Sequence, residues 1–526
     1  MNNTHTPSRR GLLATAAAAA LTLPSLAAQA GIITPTYPGA PWAYGLGTGG
    51  LNGIFPTDGL KLLGDSIIAQ HYDTTPPHLS YGNNGVWNVA NQLLGAPFQS
   101  LPNYGVSGNT TTQIAARAGS VPAGGLCVVE GGINDILIAT SAGNIATTVA
   151  TILSNFTAIC NALLGQKTVP ILQTITPNSN VSANQVSMII NANRGIRLLA
   201  ASLGLKCLDL YKHMVDPSST VCAPMANMVR ADGTHPTMVS AAKAGPEAAQ
   251  ILRELIGQRY LPPVGNADTR DVVGTDSNFL QNPALLGTSG TITANGATVT
   301  GTMPANWRLY NAGGDACSIT INNYAYVDGG DMRGNWATTT IYQRNDCVMQ
   351  SGVCYRCLEP HNSGTFATDL VNGFWEIELD TQGNWLEVVI TGTSASTNVQ
   401  IYPVNTLAVT RLSLGNYVQC QADIDVRGTP VALASTTLEA EINFSSAVGG
   451  YAAWSAAAGL QANAQAAIPL NLAWRQTLLT PKLYADPAGA SISSANGQCF
   501  FANFIFNGSG SATIRIARPA AWQTAA

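Results

Sequence analysis

The sequence predicts two architectures in series. The first is an α/β domain with a parallel sheet over residues 57–262, and the second is an all-β domain over 276–526. Three observations carry this. Between residues 59 and 262 short apolar runs alternate with longer stretches of helical period, the pattern of strands paired through helical crossovers. After Leu261-Pro262-Pro263 the helical period stops. From there on, short Thr/Val/Ile runs are punctuated by Gly and Asn, as in residues 290–301, the pattern of an antiparallel sandwich.

Strands are expected at Leu60–Leu63, Leu126–Glu130, Pro170–Ile175 and Lys206–Tyr211. A helix follows from Ile145, Val149, Ile152, Phe156, Ile159 and Leu163, which fall on one face at 3.6-residue spacing. Two more are expected over Asn184–Leu203 and Met238–Arg259. Open parallel sheets bind ligands at the carboxyl ends of their strands, so reactive residues belong just after strands.

The chain of 526 residues is long enough for about three domains at ~150 residues each. Charged residues are only 10% of it, and the net charge is −4. That balance lacks the basic footprint of a nucleic-acid binder. One apolar stretch, at the N-terminus, approaches membrane-spanning length. It opens with Arg9-Arg10, runs through an Ala/Leu segment and closes on Ala28-Gln29-Ala30, the parts of a cleavable export signal of twin-arginine type over residues 1–30. A buried Ala-rich helix is the competing reading. The mature protein is expected to be soluble and secreted or periplasmic, with a lead segment at 31–56 and a linker at 263–275. Ten cysteines suit an oxidising compartment, although Cys127 and Cys207 lie in apolar runs as buried thiols.

Four blocks carry candidate chemistry, and each also has a plain structural reading. Leu62-Leu63-Gly64-Asp65-Ser66 runs a strand into a small-residue turn, which leaves a serine hydroxyl at the sheet edge, though Gly-Asp-Ser is also an ordinary turn. Tyr104 to Thr110 contains Gly108, which lets a substrate approach the backbone and offers an N–H, or simply makes a flexible loop. Val129 to Asp135 contains Asn134, an amide donor or a helix cap. Arg230 to Pro236 places Asp232 three residues before His235, where a carboxylate can fix the ring tautomer. His213, near Asp209, is the rival histidine.

Together these blocks resemble the SGNH (GDSL) hydrolase family, whose Gly-Asp-Ser, Ser-Gly-x-Thr, Gly-x-Asn-Asp and Asp-x-x-His motifs occur here in order. The resemblance spans residues 57–262 and implies a flavodoxin-like three-layer fold and ester hydrolysis without metal or cofactor. It implies Ser66 as nucleophile, His235 as general base and Asp232 as its orienting carboxylate. The implied oxyanion hole is the Ser66 and Gly108 N–H groups with the Asn134 side chain.

In the second half, residues at about 336–378 resemble the small chitin- and cellulose-binding modules of carbohydrate-binding families five and twelve. Tyr342-Gln-Arg-Asn-Asp346, Gly352-Val-Cys-Tyr355 and Gly373-Phe-Trp375 carry the likeness, with Asn345 where Gly is usual. It implies Tyr355 and Trp375 as sugar-stacking rings, and the flanking segments, 276–335 and 380–526, read as one jelly-roll-like sandwich that this insert interrupts. Core packing is the competing reading for the tryptophans. Cys347, Cys354, Cys357 and His361 also have zinc-ligand chemistry, but their spacing is long and export favours disulfides, so no metal is expected. The expected partner is an acyl ester, chiefly acetyl, on a polysaccharide. A lipase- or polyester-type esterase that adsorbs through the β domain, and a surface-binding protein with a vestigial hydrolase, are the alternatives.

Overall fold

The computed structural model describes residues 59–73, 78–81, 85–98, 100–256, 280, 282–311, 316–325, 332–351, 353–377, 381–392, 395–404, 417–428, 433–442, 450–454, 477–480, 482–484, 501–507 and 510–524. The export signal, the lead segment at 31–56 and the linker at 263–275 lie outside these residues.

The apolar run Leu60-Lys-Leu-Leu-Gly64 forms β1 (Leu60–Gly64), which passes through Asp65 into a one-turn helix, α1 (Ser66–Ala69). A hairpin of β2 (Tyr72–Asp73) and β3 (His78–Tyr81) follows, then α2 (Val86–Leu93), β4 (Asn103–Gly105) and α3 (Thr111–Arg117). Next come β5 (Leu126–Val129), α4 (Ile133–Ile138), α5 (Ile145–Gly165), β6 (Val169–Gln173) and α6 (Ala183–Leu203). β7 (Lys206–Leu208), α7 (Leu210–Met214) and α8 (Met238–Ile256) complete this half.

Five strands form one parallel sheet in the order β4-β1-β5-β6-β7. This is the flavodoxin-like doubly wound order, whose switch point lies between β1 and β5. Every residue of β5 and β6 is buried, so helices cover both faces. α2 packs on α8, and α5 packs between α3 and α6. Gly245 permits the first contact, because a Cβ there would sit 2.5 Å from Val89 Cγ1.

The helix ends follow from local sequence. Thr110 with Gln113 and Ser182 with Gln185 form capping boxes at the starts of α3 and α6. Strand β4 was not expected: Asn-Tyr-Gly has no apolar run, and only pairing with β1 makes it extended. The expected strand over Lys206–Tyr211 stops at Leu208, because Asp209 caps the helix that follows. A second stretch, Ala142–Gly165, is also long and apolar enough to span a membrane, beyond the single N-terminal stretch expected. Its stripe of Ile152, Phe156, Ile159, Cys160 and Leu163 is buried, and α5 packs on β5 and β6.

Among the described residues, the C-terminal half supplies six strands of an eight-stranded sheet and all of a seven-stranded one. The two halves are not joined by the chain alone. Strand β3, from inside the α/β half, pairs parallel with Gly450–Trp454, so β3 and β2 form one edge of the eight-stranded sheet, and α2 contacts the strand Thr477–Leu479. One hydrophobic cluster runs from Leu62 and Trp87 through Leu309, Ile424 and Ile516.

The insert is a four-stranded sheet over residues 332–377 with a short helix, Phe366–Val371. It emerges between Ala316–Ala325 and Thr381–Gly392, which pair with each other.

Candidate active site

Ser66 is the first residue of α1. Asp65 Oδ1 accepts from Ile67 N–H at 2.9 Å, so the sharp strand-to-helix turn is capped by the residue beside the serine. The approach is close: a Cβ on Gly105 would lie 2.2 Å from Ala69 N.

His235 reaches Ser66 from the loop between α7 and α8. Its Nε2 lies 2.9 Å from Ser66 Oγ, and its Nδ1 lies 2.8 Å from Asp232 Oδ2. The turn that holds it is crossed by Arg230 N–H donating to His235 O at 2.8 Å, and Gly233 at its tip takes φ +73°. The loop after β6 latches this turn. Asn180 Nδ2 donates to Asp232 O at 2.8 Å, and Asn178 Nδ2 donates to Thr234 Oγ1 at 2.9 Å. Burial raises the Asp232 pKa, but hydrogen bonds from the His235 and Thr234 N–H groups and the His235 ring outweigh it and hold the carboxyl below its usual range.

Asn134 lies in the first turn of α4, behind Gly132 in the left-handed region at φ +112°. It caps nothing. Its Nδ2 donates to Asn109 O at 3.0 Å and Asp65 Oδ2 at 3.3 Å, which brings the first, second and third blocks together. Asp135 instead accepts from Thr111 N–H at 2.8 Å and Thr111 Oγ1 at 2.7 Å. Gly108 has φ +78° with open space where a Cβ would be. Among the described residues no protein group accepts the Gly108 or Ser66 N–H.

Arg117, Glu130, Asn178 and Asn180 support the site, yet the sequence reading assigned them no role. Arg117 donates to Gly64 O at 3.0 Å, Tyr104 O at 2.7 Å and Asn109 Oδ1 at 3.1 Å, tying the ends of β1 and β4 together. No local motif marks it, since its three partners lie 53, 13 and 8 residues away. The rival His213 is held by Glu247 Oε2 at 2.8 Å, while Asp209 pairs with Arg197. His71 is buried with Nδ1 against Ile67 O at 2.9 Å, and burial lowers it to about 4.

Cys127 is buried and Cys207 half-buried, neither in a disulfide. In the insert, Trp375 requires a correction. It is 3% exposed and packs edge to face on Tyr342 at 5.0 Å, so it offers no ring face to a sugar. Tyr355 is half-buried, 4.8 Å from Phe366. The candidate zinc ligands are not gathered: Cys347 and Cys354 pack with Trp385, whereas Cys357 lies in the Tyr342–Trp375 cluster. Strand alternation sends Cys354 and Cys357 to opposite faces. Among the described residues no group of three or more His, Cys, Asp or Glu side chains is placed to hold a metal.

Residues 62–239 match the GDSL-like Lipase/Acylhydrolase family. That segment is an ester-hydrolase domain of the SGNH (GDSL) type. No curated protein matches the chain. Among solved structures it is similar to a lipolytic protein of the G-D-S-L family from Desulfitobacterium hafniense, at 15% identity over 37% of this chain and 99% of that one, with a TM-score of 0.30. An acetylxylan esterase from Geobacillus stearothermophilus matches at 16% identity over 40% and 98%, TM-score 0.29. A GDSL-like lipase from Bacteroides thetaiotaomicron matches at 18% identity over 38% and 88%, TM-score 0.28.

Proposed function

We propose that the chain is an exported serine esterase that removes short acyl groups, chiefly acetyl, from a polysaccharide. The observation that carries the chemistry is the relay in which the His235 ring meets Ser66 Oγ at 2.9 Å and Asp232 at 2.8 Å. His235 takes the Ser66 proton as Oγ attacks the ester carbonyl, and Asp232 holds the ring in the tautomer that can accept it. The Ser66 and Gly108 N–H groups and the Asn134 amide stabilise the tetrahedral oxyanion, and each such donor is worth on the order of 10²–10³ in rate. The alcohol leaves with the proton from His235, which then activates a water to free the acid.

The polysaccharide assignment leans on the resemblance of the insert to carbohydrate-binding modules and on the half-buried Tyr355. Trp375 lends it nothing, being buried. The jelly-roll reading of residues 276–526 and the twin-arginine export of the mature chain belong to the same proposal.

The test is acetate release from acetylated xylan, chitin and pectin by the mature protein, with a soluble short-chain ester alongside and Ser66→Ala as control. Release from one polymer, abolished in the variant, supports the proposal and names the sugar. Cleavage of the soluble ester alone overturns the polysaccharide reading and favours a lipid or polyester substrate. Turnover by Ser66→Ala overturns the assignment of the nucleophile.

A further inference from the structure

Directly behind Ser66 lie two carboxyl groups that the mechanism above does not use. Asp65 is 0% exposed and Glu130 is 1% exposed, one from the turn after β1 and one from the end of β5. Asp65 N–H donates to Glu130 Oε2 at 3.4 Å, and the two carboxyl groups lie close enough for their charges to act directly on each other. Among the described residues Glu130 Oε1 is buried without a hydrogen-bond donor. A Cβ on Gly64 would lie 2.8 Å from Glu130 Oε2, so Glu130 occupies the space this glycine leaves. Among the described residues no cation pairs with either carboxyl: Arg117 reaches Gly64 O from α3, but its head is spent on three carbonyl-type oxygens. The titratable groups that face the pair are Asp135 on α4 and His235 from the loop before α8.

Two buried carboxylates in contact cannot both stay ionised, because each is desolvated and repels the other. Burial first, and then the neighbouring Asp65 charge, push Glu130 well above the usual carboxyl range. Asp65 is also raised by burial, but it keeps the hydrogen bonds of a carboxylate. Its Oδ1 accepts from Ile67 N–H, and its Oδ2 accepts from Asn134 Nδ2. Glu130 therefore has the donor role and Asp65 the acceptor role.

We propose that Glu130 and Asp65 share a single proton, and that this proton makes Glu130 a positioning residue for the Asn134 oxyanion donor. With the proton present, Asp65 is fixed between Glu130, Ile67 and Asn134, and one negative charge rather than two stands behind the oxyanion. When the proton leaves to hydroxide, the two carboxylates repel, Asp65 loses its fixed place, and the Asn134 amide loses its anchor. The added charge also opposes the developing oxyanion. The proposal rests on the esterase reading for its rate consequence, but the shared proton itself does not.

Two measurements on the full mature chain test it. The first is the pH profile of kcat on a soluble ester for wild type and Glu130→Gln, whose amide can still donate to Asp65 but cannot ionise. Wild type is expected to lose at least tenfold in kcat along an alkaline limb, and Glu130→Gln to lose less than threefold there with KM little changed. An unchanged alkaline limb in the variant overturns the proposal. The second is infrared absorption of a protonated carboxyl at neutral pH in wild type and in Ser66→Ala. The band is expected in both and absent from Glu130→Gln. Its absence from wild type, or persistence in Glu130→Gln, overturns the proposal whatever the activity. If Glu130→Gln does not fold, wild type alone decides: band and kcat must fall with one midpoint, and separate midpoints overturn it. Activity in Ser66→Ala would sink the esterase reading and leave the infrared result to judge the proton.

Discussion

Asp232 grips His235 twice. Its Oδ2 accepts from ring Nδ1 at 2.8 Å and its Oδ1 accepts from the His235 backbone N–H at 3.0 Å, so one carboxylate fixes both the ring and the chain that carries it. The three-residue spacing makes this double contact possible, with Gly233 supplying the left-handed turn between them.

Replacing Asp232 by Asn keeps the shape of this turn and removes its charge. The wrong ring tautomer then competes, and kcat on a soluble ester is expected to fall by roughly 10²- to 10⁴-fold with little change in KM. The Asp232 side chain is 46% exposed, so water screens it and the loss belongs toward the lower end. A kcat within threefold of wild type would refute the orienting role.

Arg117→Lys tests the clamp on the two loop ends. Lysine keeps the charge but cannot donate to Gly64 O, Tyr104 O and Asn109 Oδ1 at once. Asn109 O is also an acceptor of the Asn134 amide, so loosening it shifts an oxyanion donor. The expected loss in kcat is roughly 10- to 100-fold, the scale of a displacement of about 1 Å at a reacting centre. Steady-state kinetics with a short-chain ester read it directly, and unchanged kcat would rule the clamp unimportant.

Gly105→Ala is expected to destabilise the fold by about 1–3 kcal/mol, since its Cβ would collide with the backbone at Ala69 N rather than with a movable side chain. Urea unfolding of the variant checks it, and a stability equal to wild type would show that β4 can shift away from α1.

His71 links stability to pH. Burial lowers its pKa to about 4, outweighing the backbone hydrogen bonds that raise it. The unfolded ring titrates near ~6.5, so the unfolded chain binds more protons between those two values and stability rises with pH across them. The contribution is complete above about pH 6.5 and is lost as pH falls toward 4, on the order of 3 kcal/mol in all. Urea unfolding at a series of pH values should show this slope in wild type and lose it in His71→Gln. An equal slope in both would assign it to other groups.

The sheet and its reactive edge were legible because they depend on local pattern. The leucines of Leu60–Leu63 and all of Leu126–Val129 are buried, and Ser66 and Asn134, in the first helical turns after these paired strands, fall at the carboxyl edge of the sheet. Strand β4 was not legible, because Asn103, Tyr104 and Gly105 take their extended shape from pairing with β1. The reading of Trp375 failed for a related reason. Spacing can place an aromatic on a strand, but which face is covered depends on Tyr342 arriving from another strand.

By itself the sequence determined the parallel α/β order, the change to β structure after Pro262, and the four blocks that carry Ser66, Gly108, Asn134, Asp232 and His235. These are consequences of side-chain periodicity and turn chemistry, which act within a few residues. Only the tertiary structure decided the rest. It brings His235 onto Ser66 across 169 residues, buries Glu130 against Asp65, spreads Arg117 over three oxygens at the ends of β1 and β4, and lends strand β3 to a sheet of the other half. Each of these is a long-range contact between side chains or strand edges that local preference leaves undetermined, and each becomes favourable only once the core has excluded water around it.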